Sequence, residues 1–157
     1  MKKPTKLAIG CGCMIALGVL TWVAIFWPSF RTARATSVTK ATMGRIQSLG
    51  AELHRYQKQH GQYPAAAPVA NLLQTLQVSN RRDLQTDDWG NQLRYEGRGC
   101  NPACSGFLIG SPGRDGTFEH PTLASYHETL TDVDRQRDLV YGETGWIQCP
   151  EGMGLFH

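Results

Sequence analysis

No aspartate or glutamate occurs before Glu52, and all thirteen acids lie at or beyond it. Lys2, Lys3, Lys6, Arg31 and Arg34 occupy that acid-free stretch. Of the 16 Lys and Arg, eleven remain from Thr36 onward against thirteen acids, so the rest of the chain is near neutral. The formal charge of +3 therefore belongs to the leader and to the flanks of one apolar segment. Such a distribution is a membrane-flank signature and argues against a nucleic-acid partner.

Other absences narrow the chemistry. The glycine-rich "GSPGRDG" (Gly110 to Gly116) has no lysine, Pro112 removes an amide, and "TFEHP" begins no helix. A phosphate loop needs all three features. Zinc would need a fourth ligand at sensible spacing beside Cys100, Cys104 and Cys149, and only scattered histidines are available. Ser111, Ser125, His120 and His127 form no nucleophile signature, and Cys149-Pro150 has no companion thiol of a redox dithiol. No enzyme is expected. Repeats and low-complexity tracts are missing too, and 157 residues suffice for one modest domain with an appendage.

What is present begins with Leu7 to Trp27, an uncharged run long enough to cross a bilayer as a helix. The three lysines before it place the N-terminus in the cytoplasm. The chain thus divides into a basic leader (1–6), an anchor helix (7–27) and an extracytoplasmic domain (28–157). Two other readings stay open: "ARA" (Ala33 to Ala35) as the end of a cleaved signal, and Cys11 after "AIG" as a lipid anchor. Outside the cytoplasm, disulfides persist. "CNPAC" reads as a hairpin tip closed by Cys100–Cys104, while Cys104–Cys149 or Cys100–Cys149 fits the same count.

Beyond Pro28, which should kink the junction, Val38, Thr42, Ile46, Leu49, Leu53, Tyr56 and His60 recur at steps of four and three. That is one stripe of a helix, ended by Gly61 and Pro64. A short helix should start at Pro68, with Val69, Leu72, Leu73 and Leu76 as its apolar face. Strands are expected at Gln92–Glu96, Gly106–Gly110, Asp138–Tyr141 and Gly145–Gln148. Asp115 to Asp138 reads as a long loop. Trp89 in "DDWGN" is a large body that can pin a turn to the core, and Tyr63 should pack under the helix end.

These features in this order, and above all "YQKQHGQYP", "DDWGNQLRY" and "SPGRDG", resemble the major pseudopilins of bacterial type II secretion systems, a type IV pilin-like family. The resemblance covers the chain in outline. It implies an α+β fold in which one long N-terminal helix, half transmembrane and half amphipathic, packs on a small antiparallel sheet. It also implies a single-pass protein of the inner membrane with a periplasmic domain. Partners would be other pseudopilins or copies of itself, the membrane, and secreted protein substrates. The family's cleaved glycine and early glutamate have no counterpart: aligned on Pro28, Lys6 and Cys11 stand there. That departure points to a specialised subunit; the alternative is an uncleaved, membrane-tethered interaction module that does not polymerise.

The resemblance implies calcium as well. The family binds it with an "SxGxDG"-like segment and a later aspartate, which match Ser111, Asp115 and Asp138 here. Asp132 and Asp134 are spare carboxylates, although Arg135 and Arg137 spoil any likeness of "DVDRQRD" to an EF-hand loop. On the residues alone, Asp115-Gly116 reads as an ordinary turn and Asp138 as a solvated strand start.

Overall fold

In the computed structural model, which describes residues 5–78, 82–126 and 137–150, two helices precede an antiparallel sheet. The elements are α1 (Thr5–His60), α2 (Val69–Thr75), β1 (Arg94–Arg98), β2 (Gly106–Ser111), β3 (Leu139–Gly142) and β4 (Gly145–Gln148). The chain forms two units, Met1–Thr36 and Ser37–His157. The first is helical from Thr5 onward, and the helix continues through Pro28. Among the described residues no helix is long and apolar enough to cross a membrane. For Leu7 to Trp27 the side chains lie outside the described residues, except for Trp22, which is exposed.

The second unit is α+β. On its part of α1, Thr39, Thr42, Met43, Ile46, Leu49, Gly50 and Leu53 are buried. The expected stripe is right in its middle and drifts at both ends: Val38 and Tyr56 are half-buried and His60 is exposed. At about 100° per residue Val38 and Tyr56 both point about 80° away from Ile46, at the margin of the buried face, and His60 is the last residue of the helix. Gly50 lies against the sheet. A Cβ there would fall 2.7 Å from the Tyr141 ring and 3.7 Å from Phe107. The helix ends where Gly61 turns left-handed (φ 75°), its N–H donating to the Gln57 carbonyl at 2.7 Å. Tyr63 then folds back, buried, with its hydroxyl 3.0 Å from His54 Nδ1 on α1.

α2 starts just after Pro68, and Val69, Leu72, Leu73 and Leu76 are buried together as the spacing requires. The sheet is a meander in the order β1-β2-β3-β4, all pairs antiparallel. β1 begins two residues later than the sequence suggests. Gln92 and Leu93 pair with the preceding segment instead: Thr86 bridges Gln92, and Leu93 N–H donates to the Gln85 carbonyl. β3 likewise begins at Leu139, because Asp138 is engaged elsewhere.

β2 is buried at all six positions. Phe107 and Ile109 join the cluster that contains Ile46, Leu49 and Leu53 of α1. Leu108 joins a separate cluster with Val140, Leu123 and Tyr126, flanked by Phe118 and Ile147. The expected long loop is therefore a cover over its first part. Residues 117–126 lie as a strap on the back of the sheet, so close that a Cβ on Gly110 would meet Leu123 at 2.5 Å. At the other end of the β1–β2 hairpin, Cys100 and Cys104 form a disulfide. Cys149 is free and buried, so of the three open pairings the first is the one adopted.

Candidate functional site

The polar corner at the C-terminal end of β2 is organised by the first aspartate of "DDWGN". Asp87 is buried, and its two oxygens take four donors. Oδ1 accepts from the Trp89 and Asn91 amides at 3.0 and 2.7 Å. Oδ2 accepts from the Ser111 hydroxyl at 2.8 Å and from Asn91 Nδ2 at 3.4 Å. A carboxylate inside a protein is tolerable only with such a full set. Asn91 then reaches across, its Nδ2 donating to the Gly113 carbonyl at 2.6 Å. "DDWGN" and "SPGRDG" are thereby laced into one structure.

That structure is also tied to the helix. Asp88 accepts from the Arg45 guanidinium at 2.6 Å, and its amide donates to Thr42 Oγ1 at 3.1 Å. Arg45 donates further to the Thr86 carbonyl at 3.0 Å. Trp89 is half-buried against the core, as its size suggested.

The three expected calcium residues occupy different positions in this corner. Ser111 is fully buried; its hydroxyl donates to Asp87 and accepts from the Gly113 amide at 3.1 Å. Asp115 is exposed and caps its own turn, with Oδ1 accepting from the Thr117 amide at 3.1 Å. Asp138 is buried rather than solvated: its Oδ2 accepts from the Glu119 amide at 2.8 Å and, in a very short bond, from the Tyr126 hydroxyl. Burial holds the Asp138 carboxyl above the ordinary carboxylate value, and the charges of Glu119 and Asp115 push the same way against its two hydrogen bonds. Burial, then the bond to Asp138, likewise raises the Tyr126 hydroxyl. Ser111 thus belongs to the Asp87 cluster, Asp115 to its own turn and Asp138 to the strap.

The strap is held by charged side chains that bind its backbone. Besides Asp138, Glu96 accepts from the Leu123 amide at 2.9 Å, and Arg94 donates to the Pro121 carbonyl at 3.0 Å while lying 4.0 Å over the Phe118 ring. Glu119 pairs with Arg137 at 2.9 Å. Among the described residues no group of three or more His, Cys, Asp or Glu is arranged around a common point to hold a metal ion. Asp132 and Asp134 lie outside the described residues. Each of these contacts fastens the strap to the sheet or to the residues just before β3.

No family model, no curated protein and no solved structure matches this chain.

Proposed function

We propose that the chain is a membrane-anchored structural subunit of the pseudopilin kind, working in protein secretion through helix packing and contacts between domains. The observation that carries this reading is the seating of α1 on the sheet. One face of the helix is buried from Thr39 to Leu53, with Gly50 against Tyr141, and the opposite face is exposed at Ser37, Ala41, Gly44, Ser48 and Ala51. A domain that holds a long helix by one side leaves its other side for a neighbour. The uncharged run of Leu7 to Trp27 supplies the proposed anchor in the inner membrane, with the domain on the periplasmic side.

Cross-linking through the exposed helix face tests the reading. Gly44 has open space around it, so Gly44→Cys places a thiol there without disturbing the core. In native membranes, oxidation should give a disulfide-linked dimer that the unsubstituted chain does not form, because one added thiol per subunit makes one bond. Monomer alone would support the non-polymerising tethered module instead. N-terminal sequencing of the membrane form adds an independent readout, because an intact Met1 rules out prepilin processing.

Calcium is the proposed cation of the corner, with Asp115 and Asp138 as the carboxylates. Hard oxygen donors are the chemistry calcium takes, and the charge of Asp115 is among the influences that raise the Asp138 carboxyl, an effect that a cation there would reverse. Ser111, committed to Asp87, would stiffen the site from behind. Added calcium should raise the melting temperature, a chelator should lower it, and Asp115→Ala should abolish both effects. Melting that ignores calcium and chelator alike overturns the site without touching the subunit reading.

A further inference from the structure

The Cys100–Cys104 disulfide stands at a junction. Cys104 is almost fully buried, and its carbonyl accepts from the Tyr63 amide at 3.1 Å, an isolated bridge outside the named strands. Tyr63 is the residue through which the chain leaving α1 returns to the core. Its hydroxyl meets His54, and its ring lies 5.1 Å from that of Phe107. The next residue, Pro64, is held by its carbonyl, which accepts from the Tyr95 hydroxyl at 2.7 Å. Beneath the disulfide lies Gly97 of β1, where a Cβ would fall 2.8 Å from the Cys104 sulfur, 3.0 Å from the Cys100 sulfur and 3.3 Å from the Pro64 carbonyl. One strand residue therefore carries both sulfurs and the exit segment of the helix.

We infer that this disulfide is a redox-controlled clasp that fastens the exit of α1 (Gly61 to Pro64) to the β1–β2 hairpin. Three features locate it as a local device. Cys100 lies on the exposed side of the hairpin tip while Cys104 is inside, so a soluble thiol reaches the bond from one side. The closed loop is short, so its main effect is to hold Cys104 in place and not to restrain the whole unfolded chain. Finally, the Asp87 corner is tied to α1 through Thr42 and Arg45, well before the exit segment, and shares none of the clasp's contacts. Reduction by a dithiol passes two electrons to the disulfide: one reagent thiolate attacks, a mixed disulfide forms, and the second thiol releases it. Two protein thiols and the cyclic disulfide of the reagent result. Cys104 is then held only by its packing, and the Tyr63–Cys104 bridge opens. The clasp acts whether or not the chain assembles into a filament.

The test is hydrogen exchange on the full chain in detergent, before and after reduction with dithiothreitol. Alkylation and peptide mapping confirm the Cys100–Cys104 bond before reduction and its loss afterwards. The Tyr63 amide should exchange roughly tenfold faster or more once the bond is cut. The Asp87 amide, bonded to the Asn91 carbonyl, is the control and should hold its rate. Cys100→Ser, which leaves buried Cys104 in the core, should reproduce the effect without reductant. The idea is sunk by an oxidised protein that lacks this bond, by an unchanged Tyr63 rate after reduction, or by equal acceleration at Tyr63 and Asp87.

Discussion

Arg45 of α1 binds Asp88 of the turn before β1 at 2.6 Å, and the same guanidinium donates to the Thr86 carbonyl at 3.0 Å. One side chain thereby joins two stretches 43 positions apart, by an ion pair and by a backbone contact. Both side chains keep partial solvent access, so screening reduces the charge contribution.

Arg45→Ala should cost about 1–2 kcal/mol, with the hydrogen bond to a backbone carbonyl contributing as much as the ion pair. A double-mutant cycle with Asp88→Ala, read by denaturant unfolding, should give a coupling of about 0.5–1 kcal/mol. Zero coupling would show that the pair is incidental.

Asp87 should be the more costly loss. Asp87→Ala leaves the half-buried Trp89 and Asn91 amides and the fully buried Ser111 hydroxyl without their acceptor, which should cost about 2–4 kcal/mol. Asp87→Asn keeps one acceptor oxygen and should cost about half as much. If the two variants unfold at the same denaturant concentration, the carboxylate is not the hub described above.

Two glycines of one helix should respond with opposite signs. Gly50→Ala drives a methyl to within 2.7 Å of the Tyr141 ring, which is itself braced by Trp146 at 5.1 Å, so the helix must back away. The expected cost is about 1–2 kcal/mol net of the better helix propensity. Gly44→Ala meets nothing within 4 Å and should stabilise by about 0.5–1 kcal/mol. Thermal melts of both variants check the contrast, and two stabilised proteins would mean the helix does not approach the sheet there.

Asp138 should give stability a particular acid dependence. Its folded pKa is raised above the ordinary 3.8, so folding favours the protonated form. The resulting contribution is fully present below 3.8 and is lost as pH rises through the folded value. Relative to Asp138→Asn, which carries no charge at any pH, the wild type should therefore gain stability as pH falls through the carboxylate range. The comparison belongs in calcium-free buffer, by chemical unfolding at a series of pH values. Parallel stability curves would show that Asp138 is not held above its ordinary value.

The helices were legible because each buries one face, and a single-faced helix writes its period into the sequence. Leu72, Leu73 and Leu76 stood out for that reason, as did Ile46, Leu49 and Leu53. The strands were legible from short apolar runs between turn residues, with their starts misplaced where Gln92 and Asp138 bond outside the sheet. Asp87 was not legible. An aspartate in a turn and an aspartate in a core look alike until Ser111, 24 residues away, is brought against it. The strap was hidden for a related reason: Phe118, Leu123 and Tyr126 follow no regular period, because irregular backbone sets their directions. Calcium rests on the resemblance of "SPGRDG" and Asp138 to the family pattern; in the fold Asp115 is exposed and caps its own turn while Asp138 is buried under the strap.

The bond between Tyr126 and Asp138 has a consequence for how this chain can change length. It joins two points 12 positions apart, one at the end of the strap and the other at the threshold of β3. Sequence added between them enters a circuit whose ends are already pinned together. In general, doubling a flexible loop costs only about 0.6 kcal/mol of closure entropy. Tyr126 and Asp138 therefore bracket a place where residues can be inserted or removed while both faces of β2 stay covered.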